Sequence, residues 1–164
     1  MKNMSDTRRK NILIALSTAT VSALSGMGSA SAQTLNCPQP LIFGEFTVTC
    51  AGAATATVNT SDNQSVTGCI TAGGAPHSRA NCTVSQSFPF QNIQVSVPSN
   101  INMTRISGTE TIPVTDFNLV TNSNGPVYSS SSPFINVPIG ATLNTSGIVS
   151  GDYSGTFTVN AVFN

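Results

Sequence analysis

Charge is the scarcest resource in this chain. Charged residues fill 7% of its 164 positions, tryptophan is absent, and there are one histidine, His77, and two tyrosines, Tyr128 and Tyr153. Each shortage closes off a class of function. With a single imidazole, no multi-histidine copper or zinc site can be assembled. A Ser–His–Asp triad could be built only around His77, which sits beside Gly73, Gly74 and Pro76 with no G-x-S-x-G elbow nearby. No glycine-rich phosphate loop, calcium loop or paired carboxylates stand out either. The expectation is a protein with no catalytic residue, no metal and no cofactor.

Long hydrophobic runs are also missing, apart from one near the start. Lys2, Arg8, Arg9 and Lys10 form a basic stretch, Ile12 to Leu24 is mostly apolar, and Ala30-Ser31-Ala32 offers a small-residue cleavage site. That order is a secretory signal peptide over residues 1–32, followed by one domain over 33–164. The Arg8-Arg9 pair invites a twin-arginine reading, but Lys10-Asn11 follows where that signal wants an apolar residue, so general secretion fits better. The run is too short and too rich in Ser and Thr to span a bilayer, and no second one exists. The mature chain is expected in the periplasm, at the cell surface or outside the cell, without a transmembrane span.

Removal of the leader leaves two basic residues, Arg79 and Arg105, against five acidic ones, Glu45, Asp62, Glu110, Asp116 and Asp152, a net charge of −3. No basic patch can be assembled from that, so nucleic acid is excluded as a partner. The four cysteines, Cys37, Cys50, Cys69 and Cys82, all lie in the mature part. Behind an export signal an even count reads as disulfides, with three pairings open. Sequential pairing, Cys37–Cys50 and Cys69–Cys82, closes two loops of equal span and is the favoured expectation. It would make Gly68 to Cys82 a closed surface excursion. Zinc is disfavoured, because no two cysteines have the short spacing of a structural site.

Alternation of apolar and polar residues is what the chain has in quantity. Its last fourteen residues, from Gly151 to Asn164, put Tyr153, Phe157, Val159, Ala161 and Phe163 on one parity and Asp152, Ser154, Thr156, Thr158 and Asn160 on the other. In a strand this gives one apolar face and one wet face, which a helical period of 3.6 could not do. Gly155 is the weak point of that strand, the mark of a bulge or a close backbone approach. Upstream, Phe46 and Val48, then Thr55 to Thr60, then Ile93, Val95 and Val97 read as strands. Ile101 to Asn118 reads as two strands around a Ser107-Gly108 turn, and Ile135, Val137 and Ile139 alternate with Phe134, Asn136 and Pro138. Pro38 and Pro40 make Gln33 to Leu41 extended but not a central strand, and Pro89 interrupts the stretch after Cys82. Thr121 to Pro133 reads as a Ser/Asn/Gly loop. Seven or eight short strands at about ten-residue spacing indicate an antiparallel β-sandwich, Greek-key and immunoglobulin-like.

Phe43-Gly44-x-Phe46, Ile93-x-Val95-x-Val97-Pro98, Ile139-Gly-Ala-Thr-Leu143 and Gly151-x-Tyr153-x-Gly155-x-Phe157-x-Val159, closed by Phe163-Asn164, occur in that order. The series resembles the bacterial family called domain of unknown function 4402 and, more distantly, spore coat protein U and Csu-type pilin domains. The resemblance implies an immunoglobulin-like sandwich serving as a surface or fimbrial structural subunit. In pilins of this kind one strand is missing, and a periplasmic chaperone, then a neighbouring subunit at an outer-membrane usher, fills the groove by strand addition. Tyr153, Phe157, Val159, Ala161 and Phe163 would then form the face that a partner strand meets. Ala161 is smaller than the valine usual there, and Phe163 stands for the commoner tyrosine. Gln33–Leu41, short and carrying two prolines, is a poor strand to donate. The alternative is a self-contained adhesin or carbohydrate-binding module, using the Cys69–Cys82 and Thr121–Pro133 loops with Tyr128 as the one stacking platform.

Overall fold

β-Branched and aromatic residues at alternating positions build strands that bury one face, and here they recur along the whole chain. The computed structural model describes residues 10–13, 18–22, 34–85, 92–120, 127–129 and 132–163, with side chains for 34–85, 92–120 and 132–162. Every regular element among them is a strand. β1 (Lys10–Leu13) and β2 (Thr18–Ser22) come from the segment read as a leader. β3 (Thr34–Gln39), β4 (Ile42–Val48), β5 (Ala54–Val58), β6 (Gln64–Gly68) and β7 (Ile70–Ala72) follow. Next come β8 (Ala80–Ser85), β9 (Asn92–Ser96), β10 (Asn100–Arg105) and β11 (Thr111–Leu119). β12 (Val127–Ser129), β13 (Phe134–Asn144), β14 (Tyr153–Ser154) and β15 (Thr158–Phe163) complete the set.

These strands form an all-β sandwich. One sheet runs β3-β8-β13-β11-β10-β14-β1-β4-β7, with β5 and β6 joined at β13; the other runs β12-β9-β15-β2. A single apolar cluster joins the two, with Ile93, Val95, Val159 and Ala161 of the small sheet packed among Phe43, Phe46, Met103, Val114, Ile139 and Leu143 of the large one. All ten are 3% exposed or less, so the alternation read from the sequence does mark the inward face.

β13 is the centre of the large sheet. Its first half pairs with β8, from Phe134↔Ser85 to Ile139↔Ala80, and its second half with β5, from Ala141↔Val58 to Asn144↔Thr55. Gly140 sits at the change of partner. A Cβ there would lie 2.5 Å from the Val58 carbonyl oxygen and 2.7 Å from Asn118 Oδ1, so only glycine lets the three strands close up. On its other side β13 meets β11, whose register slips between Thr115 and Asn118 with Asp116 at φ 51°. This bulge reverses the parity of the strand. Ile112 and Val114 point inward before it and Phe117 and Leu119 lean inward after it, and Phe117 lies 4.9 Å from Phe157 between ring centroids.

The expected disulfide pairing is wrong. The bridges are Cys37–Cys82 and Cys50–Cys69. β3 lies antiparallel to β8, with Asn36 opposite Thr83, which brings Cys37 to Cys82. β4 lies antiparallel to β7, with Val48 opposite Ile70, and the Thr49 amide donates to the Cys69 carbonyl, which brings Cys50 to Cys69. Cys37 and Cys50, by contrast, lie on β3 and just past the end of β4, strands that are not neighbours in the sheet. The closed excursion between Cys69 and Cys82 therefore does not exist. Ile70–Ala72 is a strand of the large sheet, and Ser78 bridges to Ile42.

Other expectations shift less. The strand count is higher than seven or eight, with thirteen from Thr34 onward among the described residues, because short pieces such as β7 and β14 carry too little alternation to register. Among the described residues β3 is an edge strand paired only with β8, and Pro38 falls where its register slips. The basic residues Lys2, Arg8 and Arg9, the Ala30-Ser31-Ala32 motif, Pro89 and most of the Thr121–Pro133 loop lie outside the described residues, as do the side chains of Tyr128 and Phe163. Within that loop Val127–Ser129 is a strand, paired with β9. No helix among the described residues is long and apolar enough to cross a membrane.

Candidate functional site

The C-terminal stretch is two strands rather than one. β14 belongs to the large sheet, antiparallel to β10 with Arg105 opposite Tyr153. β15 belongs to the small sheet, antiparallel to β9 with Ala161 opposite Val95. The break falls at Gly155, Thr156 and Phe157, where the chain crosses between sheets, and Gly155 is the residue the sequence marked. A Cβ on Gly155 would sit 3.2 Å from the Met103 Cα, so the crossing hugs β10.

Tyr153, Phe157, Val159 and Ala161 all face the core, each 3% exposed or less. The Tyr153 hydroxyl donates to the Val149 carbonyl oxygen at 2.8 Å, four residues upstream. A buried ring tied back to its own approach loop in this way is the tyrosine corner of sandwich folds. Burial pushes the phenol above its usual value of 10.0, with the Arg105 charge opposing. These side chains are thus spoken for by the protein's own core. What the stretch leaves for a partner is its backbone edge.

That edge is occupied by the N-terminal segment. β2 lies parallel to β15 with five residues in register, from Thr18↔Thr158 to Ser22↔Val162. Ala19 and Val21 take the positions opposite Val159 and Ala161. Ahead of it, β1 lies parallel to β14, with Ile12 opposite Tyr153, and antiparallel to β4, from Lys10↔Phe46 to Leu13↔Ile42. Lys10–Leu13 and Thr18–Ser22 therefore run beside Tyr153–Ser154 and Thr158–Val162, one in each sheet, in one direction and nearly one register. Because β1 lies between β14 and β4 in the sheet order, and β2 is the outer neighbour of β15, taking the segment away opens both sheets along the same line.

A cleft of about 460 Å³ opens beside the Cys50–Cys69 bridge, lined by Val48, Ala54, Ile148 and Thr145 among others, with no titratable side chain. The Thr145 hydroxyl is already spent on the Ala54 carbonyl oxygen at 3.1 Å. His77 packs against the turn after β5: its Nε2 lies 3.2 Å from the Asp62 carbonyl oxygen, and the Arg79 amide donates to Asp62 Oδ1 at 2.7 Å. The Arg79 guanidinium caps the Thr60 carbonyl oxygen of the same turn. No three His, Cys, Asp or Glu side chains among the described residues are grouped to hold a metal. The one ion pair described, Arg105 to Glu110 at 3.4 Å, closes the β10–β11 hairpin. Glu110 is held below the usual glutamate value of 4.5, first by a hydrogen bond from its own backbone amide and then by Arg105.

A disulfide-stapled sandwich whose last strand is flanked by an N-terminal segment is the class of protein this defines. The chain belongs to the family described as domain of unknown function DUF4402, matched over residues 31–163. No curated protein and no solved structure matches it.

Proposed function

We propose that this chain is an exported, non-catalytic structural subunit of a fimbria-like or cell-surface assembly, which takes up a partner's strand along β15 once residues 1–32 have been removed. The observation that carries the proposal is the parallel seating of Thr18–Ser22 on Thr158–Val162. That strand comes from the stretch whose basic start, apolar middle and Ala30-Ser31-Ala32 end read as a leader. Its loss would leave β15 with β9 as its one neighbour among the described residues, and the β14–β4 seam without its bridge. An open edge flanking a buried apolar face is an aggregation hazard unless another chain covers it. Strand addition answers that need through main-chain hydrogen bonds, with alternate side chains entering the groove. The similarity to pilin-like domains noted in the sequence points the same way, and the two disulfides suit an oxidising compartment. Periplasmic chaperones, an usher and neighbouring subunits are the partners this reading implies.

Producing the chain with its leader in a bacterial periplasm, with and without co-expressed fimbrial chaperones, tests the reading. The expected result is a mature chain beginning at Gln33 that accumulates as a complex and aggregates or is degraded alone. A soluble monomer, fully protected in both cases, would overturn it.

A further inference from the structure

We infer that this chain accepts a strand but cannot pass one on, so that the occupant of its vacated edge comes from a different protein and never from the N-terminus of a second copy. The inference rests on the strand-accepting function proposed above and adds the source of the strand. A subunit that extends a strand-exchange polymer needs two features: an open edge and a free segment to place in the edge of its neighbour. The first is found along β14 and β15. The second is missing, for a covalent reason.

After cleavage behind Ala32, one residue, Gln33, stands ahead of β3. β3 itself is not free. Thr34, Leu35 and Asn36 pair with Ser85, Val84 and Thr83 of β8. Leu35 is buried, at 8% exposed, in the same core cluster as Val84. Two residues on from Leu35, Cys37 is bonded to Cys82 of that same strand. Donating β3 would break its ladder, pull Leu35 from the core and still leave the segment tethered at Cys37. The remaining stretch carries Pro38 and Pro40, which lack the amide hydrogens that a donated strand uses to pair. The bridge thus has a second role beside stability: it fixes the mature N-terminus inside its own domain. In any fibre built by strand exchange this chain occupies an end, one copy per fibre, as a tip or a terminator.

The edge also states what the foreign strand must be. It runs parallel to β15, over at least the five positions taken by Thr18–Ser22. Opposite Val159 and Ala161 the leader carries Ala19 and Val21, small aliphatic residues, with Thr18, Thr20 and Ser22 between them. The occupant is accordingly a strand alternating small aliphatic with hydroxyl-bearing or other small polar side chains.

The test uses the mature chain, residues 33–164 with both disulfides formed, and a fluorescent peptide of residues 10–22 as the probe. The expected outcome is saturable one-to-one binding, weakened tenfold or more when the peptide carries Ala19→Lys and Val21→Lys. Cross-linking of the mature chain alone, over a hundredfold concentration range, is expected to give no ladder of copies joined between residues 34–39 and residues 158–162. If the peptide binds and such a ladder also forms, the inference is overturned while strand acceptance stands. If the peptide fails to bind and the amides of β15 are already protected, strand acceptance itself fails.

Discussion

Tyr153 is the residue on which the C-terminal crossing turns. Its ring is buried in the core, and its hydroxyl donates to the Val149 carbonyl oxygen. Tyr153→Phe keeps the ring and removes the bond, and the expected loss is about 1 kcal/mol, seen as a lower urea midpoint with unchanged slope. Tyr153→Ala, which also leaves a cavity, is expected to lose about 3–5 kcal/mol. The phenol adds a pH signature. Its folded pKa is raised, so above pH 10 the unfolded chain ionises first and stability falls as pH rises through that window. Tyr153→Phe should remove that part of the alkaline decline. At the acid end Glu110 has the opposite sign. Its folded pKa is depressed, so its contribution is present above the usual glutamate value of 4.5 and fades as pH falls through the folded value. Of these two residues the sequence marked Tyr153 by its parity in the last fourteen positions, whereas the carbonyl it would hold was invisible, since that depends on how the chain turns into β14.

Among the elements, β3 and β15 carry the account, and they were not equally legible. Period-2 alternation is a local property, so the inward face of β15 could be read directly. The reversal of parity at Asp116 and the change of sheets after Tyr153 depend on neighbouring strands, and at Gly155 a glycine was the one visible sign. Cysteine pairing is less legible still, because sequence spacing fixes loop size whereas bonding follows strand adjacency. Equal spacing favoured Cys37–Cys50, yet β3 adjoins β8 and β4 adjoins β7. Combined cleavage after Glu45 and Arg79 under non-reducing conditions checks the arrangement. The peptide ending at Glu45 should remain joined to Ala80–Arg105, with Phe46–Arg79 released carrying its internal bridge. Either alternative pairing would leave all three joined. In the chain-entropy relation, the Cys37–Cys82 bridge with a separation of 45 contributes roughly 4 kcal/mol and Cys50–Cys69 with 19 roughly 3 kcal/mol. Paired serine variants of the first bridge should therefore melt below those of the second.

For the whole molecule, the sandwich class and the number of bridges followed from composition and patterning. The gap beside the last strand did not, because it is a property of sheet order, to which distant segments contribute. Lys10–Leu13 and Thr18–Ser22 lie along that gap, so their removal would open it. A ligand that binds the folded chain alone stabilises it by mass action. The peptide of residues 10–22 at one hundred times its Kd should therefore raise the unfolding free energy of the mature chain by about 2.7 kcal/mol, whereas a peptide of scrambled order should leave it unchanged.

Hydrogen exchange along Thr158–Val162 bears most directly on the central claim. In the mature chain alone, the β15 amides that face away from β9 should exchange within minutes, while those of β13 persist for hours. Addition of the peptide of residues 10–22, or of a natural partner strand, should slow the same amides at least a hundredfold. Slow exchange throughout β15 in the unoccupied mature chain would mean that the edge is already closed, and would contradict the account.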